Sequence, residues 1–504
     1  MEYLISQREY DSLIGAAQRV SLRTRESDKI SRGDSGLAKR ENPNAAAFRS
    51  ALRLYVATDG GLKAADALLA RLAARQNVTA PTRKPIVASR TKLALSLSSL
   101  LFFHRVLYRI FTRLRLQLLH DKVKDIRQRY PRIFAALTSR LTPAIGASLS
   151  GLALGLNPAD QLRLTIAIFV ASSALEIGYN ALESAGYMKK KPWWFGSWLL
   201  FPLTQGQLFH AFVFDRDCVP PGYSNFLTSY TPEYIQRRPE GLPMKVTWPD
   251  RDQIVDSLAE IATLRWPTFV PAMLHPNNPN TLPRTIDTVI SPITSRADPA
   301  HLHLSCALIH PNETSCFVAY LRQNLLAFPQ LARMFAIYYG ALSLLGYKHL
   351  IKSPIQFLNV LSKQILKSTL AISGAFGTSW GTICLFAAIL PKTFLPKSRF
   401  FLGGLLGGMW HFFDQGLAAH ANMMFVARMS VDSLWKVGVK RRWWKGIQGG
   451  DVLLFMASLV LMNASYDWRG DDVQPTALLK LLRGEIELGL QSNVESTDIT
   501  DKEE

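Results

Sequence analysis

Nine apolar runs, separated by basic and polar stretches, set the pattern of the chain. They fall at about 93–112, 143–157, 162–181, 194–214, 329–347, 366–390, 400–413, 416–434 and 451–466. A helix needs about 20 apolar residues to cross a bilayer core, so several of these runs are marginal spans. Runs this rich in Trp, Phe and Gly suit lipid better than the interior of a soluble protein. The pattern predicts an all-α, multi-pass membrane protein.

The runs repeat. Phe169-Val170-Ala171 returns as Phe425-Val426-Ala427, a shift of 256 positions, and at the same shift Glu176 meets Asp432, Gly151 meets Gly407 and Ala147 meets Gly403. Trp193-Trp194 behind Lys189 to Lys191 is answered by Trp443-Trp444 behind Lys440, Arg441 and Arg442. The chain therefore reads as two repeated bundles of short Gly-rich helices, a habit of membrane folds.

The segments between them complete the expected layout. Residues 1–44 are polar and expected to be disordered. The first membrane repeat spans 45–214, opening with an Ala-rich stretch. There Arg49, Arg53, Asp59, Lys63 and Asp66 point to an amphipathic surface helix, because each charge at mid-bilayer costs about 2.5 kcal/mol or more. A Pro-rich connecting region, 215–328, carries one amphipathic piece at Ile254 to Leu264 and otherwise reads as loop. The second repeat spans 329–488, and 489–504 is an acidic tail. Five runs separate the basic loops at 113–142 and 391–399, which would place the loops on opposite sides against the positive-inside bias. Either the halves are inverted, or one run does not cross. The preferred non-spanning run is 194–214, weakened by Pro202, Gln205, Gln207 and His210.

Charge sharpens this picture. Lys and Arg outnumber Asp and Glu 58 to 38, for a net charge of +20. The cations cluster beside spans, as at Arg105 to Arg132 and Lys436 to Lys445, where they suit inside-facing loops and anionic lipid. No nucleic-acid module is visible, so lipid rather than nucleic acid is the expected partner. Four cysteines make no disulfide scaffold. Glu2, Glu9 and Asp11 fit neither a secretory signal nor a transit peptide, and insertion is expected to rely on internal segments.

Candidate functional residues fall into three groups. Ala147, Gly151 and Gly155, with Gly403, Gly404, Gly407 and Gly408, form small-residue stripes that let helices approach within the bilayer. They are read as packing faces, with a substrate path and a homo-oligomer contact as alternatives. Arg163, Glu176, Arg428 and Asp432 are intramembrane charges; Arg428 lies four residues before Asp432, in reach of a pair along one face. His301, His303, Cys306, His310 and Cys316 crowd metal-ligand types into sixteen residues. Their spacing matches no standard finger, so no metal and no cofactor is expected. Asp215-Arg216-Asp217 reads as a charged helix end, and His411 and His420 as interfacial packing. No nucleophile elbow, phosphate loop, HExxH or dinucleotide fingerprint is present, and the chain is not expected to be an enzyme.

Gly438-Val439 followed by Gly450-Asp451-Val452-Leu453-Leu454-Phe455 resembles the glycine-to-VLLF segment of the transmembrane protein 135 family. His310-Pro311 with Ser315-Cys316 is similar to that family's His-Pro and Cys start. The glycine stripe with its following helix resembles the Tim-type translocase and small peroxisomal membrane protein superfamily. The resemblance covers about 306–488 and reaches the first half through the repeat. It implies a protein of the peroxisomal membrane, and secondarily the mitochondrial membrane, acting in organelle dynamics, fission and lipid homeostasis. The alternative is a transporter or channel for lipids or small metabolites, running past Glu176 and Asp432.

Overall fold

A computed structural model describes residues 43–75, 89–119, 128–187, 192–343 apart from 193–194, 244–245, 272–273 and 275–281, then 353–414, 416–469 and 477–484. The acidic tail, the Trp193-Trp194 pair and all but the end of the polar start lie outside these residues. Among the described residues the fold is all-α, and the single β contact is an isolated bridge between Thr268 and His303. The chain divides into two compact units, one of residues 1–190 with 447–504, the other of 191–446.

The first unit contains α1 (Pro43–Arg75), α2 (Arg90–Leu118), α3 (Pro131–Thr138), α4 (Thr142–Ser148), α5 (Gln161–Ser184), α15 (Gly450–Arg469) and α16 (Ala477–Arg483). The helix α1 pairs with α2, as an amphipathic helix should, burying Ala47, Ser50 and Ala51. Pro143 opens α4 in its first turn, where a missing N–H costs nothing. Past Ser148 the chain tightens into a 3-10 segment, Leu149–Leu156, and Asp160 then caps α5 by accepting from Arg163 N at 3.0 Å. The core joins Leu100 and Leu101 of α2 to Ala167, Val170, Ala174 and Ile177 of α5 and to Phe455, Leu459 and Met462 of α15.

The second unit contains α6 (Leu200–Phe214), α7 (Pro221–Ser229), α8 (Arg251–Thr263), α9 (Arg284–Thr294), α10 (Leu304–Ile309), α11 (Cys316–Ser343), α12 (Pro354–Ile389), α13 (Arg399–Gly408) and α14 (Leu417–Lys440). A long hairpin, α11 on α12, answers α1 on α2, and α13 decays into a 3-10 segment, Met409–Phe413, as α4 does. The next helices, α5 and α14, also correspond.

The final helix of each repeat is exchanged. The helix α6 follows α5 in sequence yet packs on α13 and α14 of the second unit, whereas α15 follows α14 yet packs on α4 and α5 of the first. The unit boundaries at 190/191 and 446/447 therefore differ from the repeat boundaries read from sequence.

The Pro-rich region 215–328 also differs from a connecting loop. Ile254, Val255, Leu258 and Ile261 of α8, Ile286, Ile290 and Ile293 of α9 and Leu304 of α10 build much of the second unit's core. Several prolines in this stretch stand at helix starts, Pro221 in the first turn of α7 and Pro283 at the cap of α9, where they begin helices rather than break them.

Among the described residues, four helices are long and apolar enough to cross a membrane: α2, α5, α11 and α12. Only 22% of the most apolar stretch of α11 is buried, and Phe317, Leu321, Leu325 and Ile337 are exposed on it. A bare apolar helix of this length is stable where lipid is the solvent, so this is a membrane protein. The 194–214 run supplies a 3-10 turn, Ser197–Leu199, leading into α6, whose fifteen residues make about 22 Å of helix against a core of about 30 Å. Phe201, Leu208, Phe209, Phe212 and Val213 are all buried, so most of α6 is covered by protein, with Leu200 and Leu203 exposed near its start. Both of its glutamines make bonds there: Gln205 accepts from Tyr223 Oη at 3.1 Å, and Gln207 accepts from Ser430 at 2.9 Å and donates to Ser433 at 3.2 Å.

Candidate functional site

The small residues mark the closest helix approaches. On α13, Gly403 and Gly407 face α12, where an added Cβ would stand 2.3 Å from Thr382 Oγ1 and from Ser379 Oγ. Gly404 and Gly408, one residue on, face α6, at 2.6 Å from the Gln205 carbonyl and 2.4 Å from Pro202 Cα. A helix with glycine on two faces can be sandwiched between two neighbours at backbone distance, and α13 is. All four glycines are buried within the unit, so a second chain reaching them would have to displace α6 or α12. In the first unit Gly151 meets Met456 Cγ at 2.7 Å and Ala147 is fully buried, whereas Gly155 has only Val452 Cγ2 at 4.0 Å.

The charges are held by partners that the repeat alone does not reveal. Arg163 on α5 forms a two-pronged ion pair with Asp451 on α15, through Nε to Oδ2 and Nη2 to Oδ1, the latter 3.1 Å, and its Nη1 donates to the Asn157 carbonyl at 3.2 Å. Asp451 belongs to the Gly450-Asp451-Val452 segment. Asp432 is buried and accepts from Lys436 Nζ at 2.8 Å. Glu176 and Arg428 are half-buried. The group at the end of α6 is likewise paired: Asp215 with Arg441 at 2.5 Å, Asp217 with Lys440 at 2.5 Å, and Arg216 with Asp256 at 2.5 Å. His411 is buried and stacks on Phe201 at 3.4 Å between ring centroids.

One cluster carries chemistry. Cys306 on α10, His310 at its end, Cys316 at the start of α11 and Cys384 near the end of α12 bring one donor atom each within 4.8 Å of all the others. Cys306 Sγ lies 3.8 Å from Cys316 Sγ, and His310 Nε2 lies 3.2 Å from Cys384 Sγ. Cys306, His310 and Cys384 are 1–3% exposed, and Cys316 sits at the rim. His310 Nδ1 donates to the Glu313 carbonyl at 2.8 Å, which fixes the ring and turns Nε2 toward the thiols.

Local structure explains the gathering. The short helix α10 positions Cys306, its C-terminal turn brings His310 back through His310 N to the Cys306 carbonyl at 2.9 Å, and the His310-Pro311 corner launches α11. Arg399, buried, caps the same end of α12 by donating to the carbonyls of Phe386 and Leu390 at 3.1 and 3.3 Å. Burial opposes charge on the His310 imidazole, yet its contacts with the Cys306 and Cys316 sulfurs and the Glu313 carbonyl raise it overall, to about 10.

Cys306, His310 and Cys316 come together out of the stretch read from sequence, where no metal was expected. His301 and His303 stay outside the donor group: His301 Nε2 bonds the Pro311 carbonyl at 3.3 Å with its ring 5.2 Å from that of His310, and His303 opens α10 from its backbone. The fourth donor, Cys384, lies 68 residues beyond Cys316, so no local spacing could announce it. Its only signal in the sequence is a lone cysteine near the end of an apolar run.

Comparison with family models, with curated proteins and with solved structures gives no match.

Proposed function

We propose that this chain is a non-enzymatic, multi-pass protein of an organelle membrane, the peroxisomal membrane first and the mitochondrial membrane second, that regulates organelle dynamics and lipid homeostasis. The observation that carries the membrane part is the bare apolar surface of α11 and the length of α2, α5 and α12. The regulatory part rests on the resemblance of Gly450 to Phe455 and of the His310-Pro311 segment to the transmembrane protein 135 family. Supporting it, charged groups inside the bundles are bound in pairs such as Arg163 with Asp451 and Asp432 with Lys436, an arrangement suited to holding helices in place. The basic loops offer contact with anionic lipid.

A tagged full-length chain is expected to co-localise with peroxisomal markers, with a mitochondrial fraction, and to stay in the pellet after carbonate washing. Its deletion is expected to change organelle number and stored lipid. Diffuse cytosolic signal, or release into the carbonate supernatant, refutes the reading. Solute flux in liposomes that disappears when Glu176 and Asp432 are neutralised would establish the transport alternative instead.

A further inference from the structure

We propose that Cys306, His310, Cys316 and Cys384 form a structural zinc site that ties the start of α11 to the end of α12. Four donors from three helices and one turn lie within 4.8 Å of one another, and the Cys306–Cys316 and Cys384–His310 separations are close to those of a single tetrahedral ion. With Zn–S bonds of about 2.3 Å and a Zn–N bond of about 2.0 Å, tetrahedral geometry requires sulfurs about 3.8 Å apart and sulfur to nitrogen about 3.5 Å apart. The structure has 3.8 Å for Cys306 to Cys316 and 3.2 Å for Cys384 to His310.

The donor types select the metal. Three thiolates and one imidazole are the Cys3His set of structural zinc, closed to water and without an open position for substrate. Hard cations such as magnesium and calcium take oxygen donors, which this set lacks. A two-iron cluster would need its ligands split into two pairs separated by the iron–iron distance, and donors gathered within 4.8 Å show no such split. A disulfide does not account for the arrangement either, since it would bring two sulfurs to about 2.05 Å and leave the other thiol and the imidazole without purpose.

Two features outside the donor set support the assignment. The His310 Nδ1 bond to the Glu313 carbonyl leaves Nε2 as the metal-facing atom, the orienting contact metal-bound histidines use. The Tyr234 hydroxyl is buried without a hydrogen-bond partner among the described residues, and it lies 3.4 Å from where a Cβ on Gly381 would stand, one turn before Cys384 on α12. A hydroxyl donor beside a metal-bound thiolate would offset part of the site's net single negative charge. On binding, each of the three cysteines releases its thiol proton and His310 releases the proton on Nε2 to solvent; each sulfur and Nε2 then gives a lone pair to zinc, and no electron changes hands.

The test uses full-length protein purified in nanodiscs, with metal content measured by mass spectrometry. One zinc per chain is expected, and cobalt substitution is expected to give the intense visible absorption of tetrahedral cobalt thiolate. Cys384→Ser and His310→Ala are each expected to lower zinc affinity about tenfold or more. His310→Cys, which completes a four-thiolate set, and Cys218→Ser, outside the cluster, are expected to retain the metal. Wild-type protein with substoichiometric zinc that does not rise on titration overturns the proposal. So does copper or iron in place of zinc, or a Cys306–Cys316 disulfide in freshly prepared protein. Because wild type itself decides these outcomes, misfolding of a variant does not protect the proposal.

Discussion

The Arg163–Asp451 pair permits a quantitative test of how the first unit is held together. Its side chains are 11% and 13% exposed, and the guanidinium also donates to the Asn157 carbonyl. Removing one member leaves the other as an uncompensated, nearly buried charge, which costs about 3–5 kcal/mol, whereas replacing both with packed apolar groups is close to neutral. Arg163→Met and Asp451→Leu should each therefore destabilise the unit strongly. The double variant should regain most of that loss, so the coupling should approach the sum of the two single losses, on the order of 6 kcal/mol or more. Thermal unfolding in nanodiscs, followed by intrinsic tryptophan fluorescence, would register each single loss as a fall in Tm on the order of 10 °C. If the two single effects simply add, the pair does not couple α5 to α15 and the reasoning fails.

Two further predictions follow from the same geometry. Gly404→Ala and Gly408→Ala put a methyl against backbone atoms of α6 that cannot yield and should cost about 1–3 kcal/mol each, whereas Gly155→Ala, with its nearest neighbour at 4.0 Å, should be tolerated; denaturation in detergent would separate them. Arg105 docks α16 by donating to the Leu481 carbonyl at 2.7 Å and to Ser50 at 2.9 Å. Arg105→Gln should speed hydrogen exchange across 477–484 by roughly tenfold to a hundredfold while leaving α5 unchanged, and equal acceleration in α5 would show that α16 is not a separate local unit.

Periodic and compositional features carried much of the fold. The apolar runs located the helices, and the 256-residue register paired the Gly-rich helices that here share a 3-10 ending. What stayed hidden was long-range. The register aligns Arg163 with nothing charged that it touches, because its partner Asp451 comes from a helix exchanged between units. The prolines of 215–328 mark helix starts as readily as loops, so the core built by α8, α9 and α10 was concealed. The Cys/His stretch suggested ligands, but three donors make an incomplete set until folding delivers Cys384.

The crossed final helices also dictate an order of biosynthesis. Residues of the second unit are all made once the chain reaches 446, but the first unit, whose helices leave the ribosome earliest, lacks α15 until residue 469. Translation at about 5–20 residues per second leaves α4 and α5 waiting roughly 10 to 50 s for the helix that covers Gly151 and neutralises Arg163. During that interval Arg163, without its Asp451 partner, must be sheltered by the insertion machinery or by lipid headgroups. The half synthesised first is thus the half completed last.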